Sequence, residues 1–228
     1  MRSWGLIVTG VYTLILLVLI VPAAVFFAGE YPTRAKFADS LQGAYSAWIS
    51  WLLIGVVLAS QALLLFLSVD TSRKRLKPRA HILVSSAVAG ILTALLMSAA
   101  ICSLIVAARN NRLFDALFDK SENTLAFWAA LWLLWGIVFY LYFRNSSEAL
   151  TRLTSWLLKG SVLELLVAVP CHIIVRRRHD CSAPVVTSFG IAAGVAIMLL
   201  SFGPSVLFLY RKRLNDYAAA AAQQKTPA

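Results

Sequence analysis

The residues best suited to acid–base chemistry lie in one apolar stretch between Lys159 and Pro184. Glu164 is followed seven and eight residues later by Cys171 and His172, a spacing that puts all three on one helix face. A charged side chain at the centre of a membrane helix costs at least about 2.5–3.5 kcal/mol. One interpretation is a proton or ion relay in which Glu164 and His172 titrate. Alternatively, Glu164 pairs with Lys159 or hydrogen-bonds to Ser and Thr of a neighbouring helix, and serves packing only.

Two cysteines flank the end of this stretch, Cys171 and Cys181, with His179 and Asp180 next to the second. These are metal-capable ligands, but their spacing matches no zinc site and three adjacent arginines repel a cation. We therefore predict no metal. An oxidising outer compartment would favour a Cys171–Cys181 disulfide, and closing so short a loop would stabilise the fold by about 2–3 kcal/mol. Free thiols are the alternative.

The arginine triplet Arg176, Arg177 and Arg178 precedes the second cysteine. Guanidinium groups bind phosphate in a bidentate manner, so the triplet is a candidate contact for an anion or a lipid headgroup. The alternative is the end of a membrane span that headgroups solvate without specific recognition.

The elements that carry these residues are apolar helices. Hydrophobic residues make up 60% of the 228 residues, charged residues 14%, and the mean hydropathy is +0.78; a soluble domain has nearly twice that charged fraction. Six apolar segments are long enough to span a bilayer about 30 Å thick: about 5–28, 47–69, 82–107, 125–143, 156–175 and 185–210. Lipid offers no hydrogen-bond partners, so each segment must be helical. We predict an all-α, polytopic transmembrane bundle of six spans over residues 1–214, with a flexible cytoplasmic tail at 215–228.

Basic residues in the connections set the predicted orientation. With the N-terminus inside, 13 Lys and Arg fall on the cytoplasmic side and 8 on the outer side, which favours N-in and C-in. The net charge of +11 arises from the Lys and Arg residues of these connections. No soluble basic domain remains to bind nucleic acid, so we predict no nucleic-acid partner.

Packing signals and motifs complete the sequence evidence. Gly190 and Gly194 lie four residues apart in the sixth segment, a spacing that predicts a close helix–helix contact. The chain contains no phosphate-binding glycine loop, no H-E-x-x-H and no G-x-S-x-G. We therefore predict no cofactor and lean against an enzyme.

The segment from Glu164 to Pro184, ELLVAVPCHIIVRRRHDCSAP, resembles a group of uncharacterised bacterial multi-span membrane proteins. The likeness covers about the last third of the chain. It implies a bacterial inner membrane and brings no activity with it.

Two classes of function follow from these observations. The first is a non-enzymatic accessory or assembly subunit, or a small channel-like bundle, that sits in the lipid bilayer as a homo-oligomer or within a larger membrane complex. The alternative is a proton or ion transport role, or a redox role, that uses Glu164, Cys171, His172 and Cys181.

Overall fold

The computed structural model describes residues 2–29, 33–69, 78–109, 111–144, 149–178 and 184–202. These ranges are helical apart from short connections and contain no strand. The helices in chain order are α1 (Arg2–Ile15), α2 (Val21–Ala28), α3 (Arg34–Ser46), α4 (Trp48–Val69), α5 (Pro78–Ala107), α6 (Asn111–Phe118), α7 (Ser121–Phe143), α8 (Ala149–Arg177) and α9 (Pro184–Phe202). The predicted all-α fold is confirmed. The predicted tail, 215–228, and the last part of the sixth predicted span lie outside the described residues.

Five helical stretches of the described chain are long and apolar enough to cross a membrane: Thr9–Ala28, Ile82–Ala107, Ser121–Phe143, Ala149–Arg177 and Pro184–Phe202. Helix α3 and the following stretch Ser50–Leu64 meet at a bend of 63° and make a sixth if the pair forms one span. The protein is therefore a multi-pass membrane protein. Its predicted orientation, with both ends inside, stays a prediction.

The first apolar segment is one helix widened in the middle. A π-helical turn, Leu16–Ile20, joins α1 to α2, and the N–H of Val21 donates to the carbonyl of Leu16, five residues back. Pro22 follows directly; it has no N–H, and its ring presses on the carbonyl four residues before it. The wider turn accommodates that ring without breaking the helix.

Helix α5 lies at the centre of the bundle and packs closely on α7. A β-carbon built on Gly90 would lie 2.9 Å from the backbone N and 3.0 Å from the Cα of Gly136. The indole N–H of Trp132 donates to the carbonyl of Ala87 at 3.0 Å beside this crossing. Only a residue without a side chain at Gly90 lets the two backbones approach this far.

Polar side chains lie inside the described bundle and large apolar ones cover its outside. The buried polar residues are Ser60, Gln61, Ser85, Ser86, Ser98, Ser103, Thr154, Ser161, Glu164, His172, Thr187, Ser188 and Ser201. Exposed Leu, Ile and Val side chains are numerous on α1, α7 and α8. This distribution suits a protein whose outer surface faces lipid, because polar groups in a bilayer turn to the bundle interior.

Candidate functional site

Glu164 lies in the middle of α8 and points into the bundle, with only 3% of its surface exposed. Neither carboxyl oxygen has a hydrogen-bond partner among the described residues. Lys159, the pairing partner that the packing hypothesis names, is exposed. Five residues along a helix turn a side chain roughly 140° away, which explains the separation. Within the described ranges, neither of the contacts through which Glu164 would serve packing alone is therefore present.

The carboxyl group of Glu164 lies against two glycines of α9. A β-carbon on Gly194 would overlap Oε2, and one on Gly190 would lie 3.3 Å from Oε1. Glycines four residues apart share one helix face, so α9 offers a notch without side chains at the level of the carboxyl group. The sequence predicted a close contact at Gly190 and Gly194, and the structure identifies what lies in it.

Two further oxygens of α5 lie beside the same notch. The point where a β-carbon of Gly190 would lie is 3.1 Å from Ser103 Oγ and 3.5 Å from the carbonyl oxygen of Ala99. Ser103 is fully buried, and its hydroxyl has no partner within the described ranges. Sequence reasoning missed Ser103 and Ala99. Their spacing of four residues places both on one face of α5, and Ala99 is small. Three oxygens from two helices, one each from Glu164, Ser103 and Ala99, thus lie close to Gly190.

His172 is a second polar centre, separate from Glu164. Its Nδ1 lies 2.8 Å from Thr187 Oγ1 on α9, and the Thr187 hydroxyl donates to the carbonyl of Pro184 at 3.2 Å. Nδ1 and the Thr187 hydroxyl are therefore hydrogen-bond partners, and the tautomer of the ring sets which of them donates. Nε2 has no partner in the described part of the chain, and the ring of Phe27 meets the imidazole edge-on at 6.4 Å between centroids.

The two predicted relay residues do not touch. Eight residues of helix separate Glu164 from His172 by about 12 Å along the axis of α8. Direct proton transfer between them is excluded at that distance, so a relay would need intermediate carriers. The relay stays a prediction.

The buried face of α8 is mostly apolar but carries four polar side chains, Thr154, Ser161, Glu164 and His172. Thr154 and Ser161 are buried on the other side of Glu164 from His172. Their hydroxyls donate to carbonyls of their own helix, to Leu150 at 3.1 Å and to Leu158 at 2.9 Å. From Thr154 to His172 this face extends roughly 27 Å, close to the thickness of a hydrocarbon core of about 30 Å.

The arginines at the end of α8 hold other helix ends. Arg176 Nη1 donates to the carbonyls of Phe27 at 2.8 Å and Gly29 at 3.3 Å, at the C-terminus of α2. Arg178 Nη1 donates to the carbonyl of Ala107, the last residue of α5, at 2.6 Å. The last carbonyls of a helix have no intrahelical partner and carry partial negative charge, which cations stabilise. Arg177 is exposed, and the predicted anion or headgroup contact stays a prediction.

The cysteine cluster is only partly described. Cys171 is buried beside His172, whereas Cys181, His179 and Asp180 lie outside the described residues. The predicted disulfide therefore stays a prediction. Within the described ranges no group of three or more His, Cys, Asp and Glu side chains is placed to hold a metal ion.

Fold and site together define a multi-pass membrane protein whose interior holds a buried carboxyl group and several buried hydroxyl groups. Comparison of the chain with protein-family models, with curated proteins and with solved structures finds no match. The chemistry of the site itself is therefore the guide to function.

Proposed function

We propose that the protein moves a monovalent cation, a proton or an alkali ion, across the membrane, with Glu164 as the group that binds it. The observation that carries this proposal is the buried carboxyl group whose two oxygens have no hydrogen-bond partner among the described residues. An isolated carboxylate in an apolar interior costs several kcal/mol, so it takes up a proton or a cation. Acidic groups inside membrane bundles of this kind mark ion and proton pathways.

The surroundings of Glu164 support a mobile cation over a fixed partner. Lys159 is exposed, and His172 is about 12 Å away along the helix. A carboxylate that served packing would be held by a nearby cation or by several hydrogen-bond donors. Other buried polar side chains of α8 support the proposal further, since Thr154 and Ser161 lie on one side of Glu164 along the helix and His172 on the other.

Flux through reconstituted protein tests the proposal. Wild-type protein in liposomes, under an imposed gradient of protons or Na⁺, is expected to carry a cation current that pH-sensitive and voltage-sensitive dyes report. Glu164→Gln keeps the shape and polarity of the side chain but has no charge to neutralise, so we expect the current to be lost while the protein stays folded.

The matched control is Glu122→Gln, which removes an exposed acid from the first turn of α7. Its current should equal that of the wild type. A Glu164→Gln variant with the wild-type current would reject the proposal. The interpretation as an accessory or assembly subunit, a redox role, a homo-oligomer or larger complex, and a bacterial inner membrane all stay predictions.

A further inference from the structure

We infer that the exposed face of helix α3 is a contact surface for a second copy of this chain inside the membrane. This exposed face consists of Lys36, Asp39, Ser40, Gln42, Gly43 and Ser46. The inference is independent of the cation that Glu164 is proposed to bind. It rests on how deep α3 lies beside the first membrane span and on which of its sides is exposed.

Helix α3 lies lengthwise along the first membrane span, Thr9–Ala28. Near the start of α3, the ring of Phe37 meets the ring of Phe26 edge-on, with 6.3 Å between centroids. Near its end, the hydroxyl of Tyr45 donates to the carbonyl of Leu17. The two contacts are about 12 Å apart along α3 and about 13 Å apart along the first span. The two helices therefore run side by side in opposite directions.

The contact of Tyr45 with Leu17 has a clear chemical cause. In the π-helical turn a carbonyl accepts from the N–H five residues later, as Leu16 accepts from Val21. The residue five positions after Leu17 is Pro22, which has no N–H. Lipid offers no substitute donor, so this carbonyl needs a partner from the protein. The Tyr45 hydroxyl supplies it and fixes the end of α3 against the first span.

Helix α3 therefore enters the hydrocarbon core. The boundary of the core lies near Phe27 and Gly29, whose carbonyls accept from Arg176, because arginines at helix ends reach to the headgroup level. Leu17 lies about 16 Å further along the span, near the middle of a core about 30 Å thick. Tyr45 reaches that level, so the residues before it in α3 lie between the boundary and the middle of the membrane.

The two sides of α3 differ in polarity. The side toward the first span carries Phe37, Leu41, Ala44 and Tyr45, all partly buried. The opposite side is the exposed face, which carries two charged groups, hydroxyls and an amide. Lipid cannot hydrogen-bond to these groups, and polar side chains at membrane depth face protein or a water-filled cavity. A protein surface outside this copy is therefore needed to cover them.

The chemistry of the exposed face is self-complementary. Lys36 lies about 4.5 Å nearer the membrane boundary than Asp39, so across a two-fold axis each ammonium group can reach the carboxylate of the other copy. The Gln42 amide both donates and accepts, so two such amides can bond to each other. Gly43 and Ser46 are small, and small residues let two membrane helices approach closely. A second copy therefore satisfies this face with the groups that the face itself presents.

Disulfide cross-linking of purified protein in liposomes, at a low ratio of protein to lipid, tests the inference. The three native cysteines are first replaced by serine. Gln42→Cys and Ser46→Cys should then each form a covalent dimer on oxidation. Leu163→Cys is the matched control, because Leu163 is 64% exposed on the apolar outside of α8, and it should stay monomeric.

The dimer equilibrium in detergent gives a second readout, measured by analytical ultracentrifugation. Gln42→Leu should raise the dissociation constant by about tenfold, the equivalent of one hydrogen bond between membrane helices. Ser155→Leu replaces an exposed serine of α8 and should leave the constant unchanged. A monomeric wild type, or no cross-linking at either α3 position, would overturn the inference. Labelling of those cysteines by a membrane-impermeant maleimide without cross-linking would assign the face to water and reject the dimer.

Discussion

The carboxyl group of Glu164 lies so close to Gly194 of α9 that a β-carbon at position 194 would overlap Oε2. The side chain of Glu164 on α8 therefore packs directly against the backbone of Gly194 on α9. Glycine at this position is required by the neighbouring side chain, since no positive φ occurs at any described glycine.

Gly194→Ala is expected to destabilise the protein, because the added methyl group and the Glu164 carboxyl group cannot occupy the same space. Shortening Glu164 to Ala should relieve the clash, so the double variant should be more stable than the sum of the single effects predicts, by about 0.5–3 kcal/mol. Thermal unfolding in detergent of the four proteins measures this coupling. Strict additivity would show that the two residues do not meet.

The crossing of α5 and α7 gives a second test with a built-in control. Gly90→Ala should cost about 1–3 kcal/mol, because its β-carbon would meet the backbone of Gly136, which cannot rotate away. Gly136→Ala should be nearly neutral, since its β-carbon meets nothing within 4 Å. Unfolding temperatures of the two variants make the comparison. Equal losses would show that the helices cross elsewhere.

The arginine contacts predict a graded effect at the end of α8. Arg178→Gln and Arg176→Gln should each lower stability by about 0.3–1 kcal/mol, because they remove a cation from the C-terminus of α5 or α2. The exposed Arg177 is the control, and its Gln variant should leave stability unchanged. Unfolding in increasing denaturant is the measurement. A larger loss at Arg177 than at its neighbours would contradict the assigned contacts.

The secondary structure of the protein was largely predictable from sequence. In lipid, the apolar runs, including the one that contains Glu164, can form their backbone hydrogen bonds only as helices. The site was predictable only in part. Glu164 stood out as a charge in an apolar run, and Gly190 and Gly194 as a packing signal. Hydropathy does not fix how each helix is rotated about its axis, so nothing in the sequence showed that the glycines face Glu164.

Serine and arginine were harder to interpret for local reasons. A serine in a membrane helix usually bonds to its own backbone, as Ser98 does, so Ser103 carried no distinguishing signal. The arginine triplet predicted an anion contact because guanidinium groups bind phosphate. Arg176 and Arg178 donate to carbonyls of α2 and α5, which come close only in the folded bundle, and the anion contact itself stays a prediction.

Topology is tested by reporter fusions in cells. With both termini inside, a fluorescent protein fused after Lys77 should fluoresce, and alkaline phosphatase fused after Asp180 should be active. The reverse pattern, with phosphatase active after Lys77 and inactive after Asp180, would invert the orientation. It would also place Cys181 in a reducing compartment, where a disulfide with Cys171 does not persist.

Infrared difference spectroscopy of the carboxyl group tests the central claim most directly, because it observes Glu164 itself when the bathing cation is exchanged. The account predicts a carboxyl band in the wild type that changes between proton-rich, Na⁺-rich and choline solutions. That change should be absent in Glu164→Gln and retained in Glu122→Gln. A wild-type carboxyl spectrum that the cation does not alter, or an unchanged response in Glu164→Gln, would contradict the assignment of Glu164 as the cation-binding group.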